Sequence, residues 1–99
     1  MAKYRKKPVV IEAMKVSEAI HIARTDWDSL PLWLEDAYNN GGIVFERDAI
    51  SVKTLEGTMR GELDDMLICG VEGEIYPCKP SVFVTTYERV TPREDHEHE

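Results

Sequence analysis

The chain has 99 residues, of which 42% are hydrophobic and 31% are charged, and its formal net charge is −7. These values are typical of a globular domain and exclude a disordered, low-complexity chain. A chain of this length buries roughly two-thirds of its unfolded surface, which is enough for one core. We therefore predict a single domain over residues 1–90, followed by an acidic tail over residues 91–99 that is expected to be disordered.

Apolar runs in the sequence are short. The basic start is followed by an apolar run over residues 9–11 that ends at Glu12, whereas a secretory signal needs about 7–15 apolar residues. No run approaches the roughly 20 residues that cross a bilayer. The sequence predicts a cytoplasmic protein without membrane association.

The two cysteines, Cys69 and Cys78, are compatible with a reducing cytoplasm. They flank a predicted hairpin, so a cross-strand disulfide is conceivable, but reduced and packed thiols are the favoured interpretation. Two cysteines without a neighbouring histidine do not supply the four ligands of a zinc site. We predict no metal and no cofactor.

The charge is unevenly distributed. Residues 1–7 carry four positive side chains, whereas residues 8–92 contain seven basic and fifteen acidic residues. An acidic body disfavours binding to nucleic-acid phosphates, so no nucleic-acid partner is expected. It is compatible with a basic protein partner or with mimicry of nucleic-acid charge, and solubility alone also explains it. The basic arm could bind phosphate or an acidic partner, or be a solvated terminus.

The first elements in chain order are a strand and a weaker helical segment. Residues 8–16 predict a first strand, with residues 9, 11 and 13 on one face and residues 10, 12 and 14 on the other. Residues 17–24 predict a short helix that Ser17 could cap. His21 stands among aliphatic residues with no other histidine or cysteine nearby, so packing or surface exposure is favoured over a catalytic or metal-binding role.

The clearest helix is predicted over residues 30–38, because apolar side chains recur there at i, i+3, i+4, i+7 and i+8. This stripe consists of Leu30, Trp33, Leu34, Ala37 and Tyr38. Asp28 or Ser29 is the expected cap, and a pair of glycines ends the helix. The stripe should pack on a sheet, with Trp27 and Trp33 in the core rather than on a ligand platform.

The second half of the chain alternates short apolar runs with glycine-containing turns, which is typical of antiparallel hairpins. Residues 66–69 are apolar on both faces and predict a central strand, whereas Pro77 indicates an edge strand or a strand end. A helical turn is expected to open near Pro80, and residues 88–90 to add a last edge strand.

Together these elements predict an α+β fold. We expect a small antiparallel sheet of five or six strands, which could close toward a barrel, with one main helix packed on it.

Three sequence blocks carry a resemblance to a known family. They are YRKKPVVIEA at residues 4–13, KTLEGTM at residues 53–59, and GVEGEIYPCKP at residues 70–80, the last followed by Phe83 and by TYE at residues 86–88. This pattern resembles a widespread family of small bacteriophage and prophage proteins. The family often has Gly-Asp-Tyr or Gly-Asp-Trp where this chain has Asp-Asp-Met, and Pro-Asp where it has Pro-Ser. The resemblance implies a phage accessory protein in the host bacterial cytoplasm and supplies no catalytic residues.

Candidate catalytic groups are few. Asp64 and Asp65 are paired in sequence, but they precede a strand as a turn does, and neighbouring side chains normally diverge. Cys78 beside Lys79 could form an activated thiol, yet no histidine is near it in sequence. No glycine-rich segment has the strand-turn-helix context of a phosphate loop. An enzyme is therefore the disfavoured class.

The favoured candidate site combines aromatic rings and cations, and consists of Arg60, Tyr76, Lys79 and Tyr87. A nucleotide-like ligand needs a ring to stack on and a cation for its phosphate. We therefore hypothesise a phage accessory binding protein that sequesters a nucleotide-derived signal of a bacterial anti-phage defence system. The alternative is a protein–protein inhibitor of a host factor that acts through its acidic surface or a strand edge. A domain this small has little interior, so the pocket is expected between protomers, which allows a homo-oligomer, or under the helix.

Overall fold

The computed structural model describes residues 1–91, which form an α+β fold with three α-helices and six short strands. The predicted fold class is therefore confirmed. Along the chain the elements are β1 (Glu12–Lys15), α1 (Val16–Thr25), a 3-10 turn (Trp27–Ser29), α2 (Leu32–Asn39), β2 (Ile43–Phe45), β3 (Ala49–Thr54), β4 (Gly57–Glu62), β5 (Met66–Cys69), β6 (Ile75–Cys78) and α3 (Pro80–Thr86). The predicted acidic tail lies outside the described residues, apart from Thr91.

The six strands form two antiparallel sheets of three strands each, and over residues 1–91 neither sheet closes into a barrel. One sheet is a meander with the order β2-β3-β4. The other has the order β1-β5-β6, so the first strand of the chain pairs with a hairpin from the second half. Its central strand is β5, as the apolar run of residues 66–69 predicts, and Pro77 lies on the edge strand β6.

Two glycines allow the predicted hairpins to turn. Gly57 follows the β3–β4 turn with a φ of 120°, and Gly73 lies in the β5–β6 turn with a φ of 82°. Side chains with a Cβ rarely adopt these left-handed conformations, so glycine is the residue that fits both turns. The glycine-containing turns recognised in the sequence are therefore confirmed.

The core lies between the inner faces of the two sheets and the helices α1 and α2. Its buried side chains are Val16, Ala19, Ile20, Leu30, Leu34, Ala37, Ile43, Ile50, Val52 and Leu67. Trp27 and Trp33 pack against this cluster while remaining half-buried, and Tyr38 is exposed. The Trp27 ring also contacts Tyr38 and Phe45 edge-on, with ring centroids 5.0 and 5.9 Å away. The helical stripe therefore faces the core with its aliphatic members.

The helix boundaries differ from the expected ones. α1 was expected to be the weaker helix, but it is longer than α2. It begins at Val16 without a side-chain cap, so the assignment of Ser17 as the cap was wrong. α2 begins at Leu32 after Pro31, and neither Asp28 nor Ser29 caps it. α1 is stabilised by burial of its apolar face, and the presence or absence of a capping residue in the sequence does not predict that burial. No helix within residues 1–91 is long and apolar enough to span a bilayer.

The two ends of the domain contain fewer strand residues than expected. Residues 8–11 do not join β1, because β5 offers only the four residues that pair with Glu12–Lys15. The edge strand expected at residues 88–90 was wrong, since this segment has no regular secondary structure. Both segments instead run beside one another and line a groove.

Candidate functional site

The two candidate tyrosines meet on the outer face of the β1-β5-β6 sheet, which is the face turned away from the core. Side chains alternate along a strand, so Leu67 points into the core while Ile68 and its cross-strand partner Tyr76 point outward. α3 covers this outer face, and the hydroxyl oxygens of Tyr76 and Tyr87 are 3.2 Å apart. Burial and the hydrogen bond with Tyr87 raise the pKa of the Tyr76 hydroxyl.

A second ring extends this aromatic surface. Phe83 lies one helical turn before Tyr87, and the two ring centroids are 5.2 Å apart at an interplanar angle of 33°. The spacing of four residues places both rings on one side of α3. The same spacing, read from the sequence alone, predicts that Phe83 and Tyr87 cover the sheet together, and the structure adds Tyr76 to this pair.

Lys79 lies between β6 and α3, where it contacts a carboxylate. Its Nζ is 3.3 Å from Oδ2 of Asp65, and the Asp65 residue is only 3% exposed. The same oxygen accepts a hydrogen bond of 2.8 Å from the backbone N–H of Glu62. Asp65 therefore organises the turn between β4 and β5, and Lys79 partly neutralises its buried charge.

Arg60 is surrounded by carboxylates on the solvated face of β4. Its guanidinium forms ion pairs with Glu62, Glu46 and Asp48 at 2.8, 3.1 and 3.4 Å. The pKa of Arg60 is raised mainly by its hydrogen bond to Glu62 and by the charge of that carboxylate. The charges of Glu46 and Asp48 raise it by smaller amounts. Glu46 also accepts a hydrogen bond from the Ser51 hydroxyl. The donors of Arg60 are thus already engaged within the chain.

The contact between the two sheets separates Arg60 from the tyrosines. A Cβ built on Gly61 would lie 3.1 Å from Cγ2 of Val16 and 3.3 Å from Cβ of Pro77, so the inner faces of β4 and β6 pack closely here. Because neighbouring side chains on a strand point to opposite faces, Arg60 and Tyr76 both point away from this contact, in opposite directions. The structure brings Tyr76 and Tyr87 together and leaves Arg60 on the far side.

A groove runs along the edge of the outer face, and we call it the Tyr87 groove. It has a volume of about 460 Å³ and lies between residues 9–13 and residues 83–90. Its lining includes the Phe83 and Tyr87 rings, Met66, and the charged residues Glu88 and Arg89. A second groove of about 390 Å³ shares Tyr87 with it and extends to Lys6 and Lys7. These two adjoining grooves therefore contain both aromatic residues, Phe83 and Tyr87, and cationic residues, Lys6, Lys7 and Arg89.

Sequence reasoning missed Arg89 as a groove residue, because residues 88–90 were assigned to an edge strand. The basic character of residues 3–7 was noticed, but nothing in the local pattern indicates that this arm returns to the end of α3. The pairing of β1 with β5 brings the two ends of the domain together.

The cysteines and acidic residues offer little reaction chemistry. Burial is the main cause that raises the pKa of both the Cys69 and the Cys78 thiols, so both are neutral thiols near pH 7. Cys69 pairs with Ile75 across the hairpin and Cys78 with Met66, so the two thiols lie at opposite ends of the ladder and do not face one another. Within residues 1–91, no group of three or more His, Cys, Asp or Glu side chains is arranged to hold a metal ion.

Comparisons with known proteins give no match for this chain. A scan against protein-family models, a search of curated proteins and a search of solved structures each find nothing similar.

Proposed function

We propose that this chain is a non-enzymatic binding protein that holds a small anionic molecule with a planar ring in the Tyr87 groove. The observation that carries the proposal is the convergence of Phe83, Tyr87 and Arg89 on a single groove. A volume of about 460 Å³ lies within the roughly 300–1,000 Å³ of ordinary small-molecule sites.

The chemistry of the groove favours a nucleotide-derived ligand. Stacking of a base on an aromatic side chain contributes about 1–3 kcal/mol, and Tyr87 and Phe83 offer ring surface for it. A guanidinium donates two parallel hydrogen bonds to a phosphate, which suits Arg89 to the anionic part of the ligand. Lys6 and Lys7 stand further along the second groove, where an extended or cyclic phosphodiester would meet them.

The resemblance to phage proteins suggests where such binding would be useful. A phage accessory protein in the host cytoplasm that binds a nucleotide-derived signal without hydrolysing it would withhold that signal from a bacterial defence system. The acidic body of the chain disfavours long nucleic acids as ligands, whereas a small molecule needs only the local cations of the groove.

Calorimetric titration with cyclic dinucleotides and with ADP-ribose tests this function. Tyr87→Ala and Arg89→Gln should each weaken binding by roughly tenfold or more, because they remove stacking or a charge-assisted hydrogen bond. Glu88→Gln should tighten binding, since it removes the negative charge in the groove. Arg60→Gln is the matched control and should bind as the unmodified chain does. Absence of heat with every nucleotide would refute the proposal.

The alternative function, inhibition of a host protein, is supported by a different surface. A groove of about 670 Å³ between the β3–β4 and β5–β6 hairpins is lined by apolar and aromatic side chains together with two carboxylates and one cation, namely Leu55, Met59, Ile75, Tyr76, Glu56, Glu74 and Lys53. Exposed apolar side chains beside carboxylates suit a partner segment with apolar anchors and flanking basic residues.

An affinity pull-down from host extract distinguishes this alternative. A stoichiometric partner that is lost with Glu56→Lys and Glu74→Lys, and retained with Asp36→Lys on α2, would support inhibition of a host protein. Recovery of no partner would weigh against inhibition of a host protein.

A further inference from the structure

A cavity at the junction of α1, α2 and β2 also combines aromatic rings with cations, and it is not part of the nucleotide site proposed above. It has a volume of about 330 Å³ and shares no lining residue with the two grooves at Tyr87. Its lining includes three aromatic residues and two arginines, namely Trp27, Tyr38, Phe45, Arg24 and Arg47. We call it the Trp27 cavity.

The three rings form one aromatic cluster. The ring centroid of Trp27 is 5.0 Å from that of Tyr38 and 5.9 Å from that of Phe45, and the Tyr38 and Phe45 centroids are 5.7 Å apart. Rings at these distances contact one another, so no quaternary ammonium group fits between them as it does in an aromatic cage. A ligand has to lie against the cluster, and Tyr38 is 45% exposed, which leaves ring surface for it. The cluster therefore suits an apolar ring.

The two arginines beside the rings are not neutralised by carboxylates. Nη2 of Arg24 donates a hydrogen bond of 2.7 Å to the backbone carbonyl of Arg47, which holds this guanidinium next to the connection between β2 and β3. Over residues 1–91 neither Arg24 nor Arg47 forms an ion pair, whereas Arg60 forms three. Both arginines therefore retain donors for an anion from outside the chain.

One carboxylate, that of Glu46, also lines the cavity, but the chain already engages it. Its Oε1 accepts a hydrogen bond from Arg60, and its Oε2 accepts one from the Ser51 hydroxyl. The negative charge of Glu46 is thus compensated by Arg60, while the charges of Arg24 and Arg47 are not compensated in this way. The local balance of charge favours an anionic ligand.

We propose that the Trp27 cavity binds a small aromatic acid, with the ring of the acid on the aromatic cluster and its carboxylate on Arg24 and Arg47. A guanidinium presents parallel N–H donors that match the two oxygens of a carboxylate. The volume is at the lower end of the roughly 300–1,000 Å³ of small-molecule sites, which suits one ring and one acidic group. This site does not depend on the function proposed for the Tyr87 groove.

A chemical-shift titration of the full chain with phenylacetate and with indole-3-acetate tests the site. The indole N–H signal of Trp27 should shift saturably, together with the amides of residues 45–47. Trp33 is the matched control, because it packs against the core without lining the cavity, and its indole signal should stay unchanged. Equal shifts at the two indoles, or no saturable shift with either acid, would overturn the proposal.

Analogues with the same ring isolate the role of the carboxylate. Phenylacetamide lacks the negative charge and phenethylamine replaces it with a positive one, so phenylacetate should bind about tenfold more tightly than either. Equal affinity for the acid and the amide would show that the arginines do not recognise the ligand. Tighter binding of the amine would identify a cation site. Either result would overturn the proposal.

Variants then assign the anion to the arginines. Arg24→Gln and Arg47→Gln should each raise the dissociation constant of phenylacetate by about tenfold, because each removes charge-assisted hydrogen bonds. The Arg47 side chain has no partner within residues 1–91, so this variant tests the site even where loss of the Arg24 hydrogen bond disturbs the fold. Arg89→Gln is the control and should leave phenylacetate binding unchanged.

The same variants keep the two binding proposals apart. Arg47→Gln should leave nucleotide binding at the Tyr87 groove unchanged, so a failure of one site is measured independently of the other. Phenylacetate binding that is insensitive to Arg47→Gln, or that is weakened equally by Arg89→Gln, would overturn the assignment to the Trp27 cavity.

Discussion

The two sheets of this fold are buried in different ways. The β2-β3-β4 meander has one face on the core, through Ile50 and Val52, and one solvated face, where Arg60 lies among carboxylates. The β1-β5-β6 sheet is covered on both faces, because Leu67 points into the core, Ile68 points to the outer face beside Tyr76, and both side chains are fully buried. On the solvated face a cation is neutralised by its neighbours. On the covered face, helix and sheet form a groove.

This difference explains why Arg60 lies apart from the two tyrosines of the candidate site. On the meander, Arg60 pairs with Glu62 two residues away and with Glu46 and Asp48 in the connection between β2 and β3, so its donors are engaged within this sheet. The outer face of the second sheet is assembled from both ends of the domain. Its groove therefore combines residues that lie far apart in sequence, such as Val9 and Arg89.

The largest expected effect comes from truncating the central strand of the covered sheet. Leu67→Ala and Ile68→Ala should each lower the free energy of unfolding by about 2–5 kcal/mol, because each removes a fully buried aliphatic side chain. Val44→Ala, on the solvated face of β2, should change it by no more than about 0.5 kcal/mol. Urea denaturation measures all three. An Ile68 variant as stable as the Val44 variant would show that α3 does not cover the outer face.

Removal of the buried carboxylate between the sheets should have the next largest effect. Asp65→Ala should cost about 1–3 kcal/mol of unfolding free energy, because the N–H of Glu62 loses its acceptor. Asp64→Ala, one residue earlier and exposed, is the matched control and should be close to neutral. Equal effects in urea denaturation would contradict the structural role given to Asp65.

The contact between the sheets is tested at Gly61. Gly61→Val should destabilise the fold by roughly 1–3 kcal/mol, because a larger side chain meets Val16 and Pro77 in a space already filled. Valine otherwise favours strands, so Thr58→Val on the exposed face of the same strand should be neutral or stabilising. A Gly61→Val variant that is also stabilised would mean that the sheets do not meet here, and the separation of Arg60 from Tyr76 would lose its support.

The smallest expected effect appears only at alkaline pH. The pKa of Tyr76 is raised in the folded chain, so the folded state retains a proton that the unfolded state releases above pH about 10. The contribution of Tyr76 to the free energy of unfolding is fully present below that pH. It is lost as the pH rises, by at most about 1.4 kcal/mol per pH unit. The slope of unfolding free energy against pH should be shallower for Tyr76→Phe. Identical slopes would contradict the raised pKa.

The sequence predicts local features well in this chain. The apolar run of residues 66–69 indicated a central strand, the glycine-containing turns indicated both hairpins, and the spacing of Phe83 and Tyr87 indicated a ring pair. Each of these depends on residues that are close in sequence. The start of α1 was not predicted, because burial of Val16, rather than a cap, fixes it.

The arrangement of the candidate site could not be predicted in the same way. Whether Arg60 and Tyr76 share a face depends on how β4 packs against β6, and that packing is decided by Gly61 and Pro77 rather than by either candidate residue. The role of Arg89 in the groove depends on the pairing of β1 with β5, which no local pattern reports. Contacts between distant parts of the chain decide both points.

The most direct test of the proposed binding face is an amide chemical-shift titration of the full chain with ADP-ribose and with cyclic dinucleotides. The Tyr87 groove predicts that the largest saturable shifts occur at residues 9–13 and 83–90, while residues 46–48 and Arg60 stay unchanged. Shifts centred on Arg60 and its carboxylates, or no shift with any of these nucleotides, would contradict it.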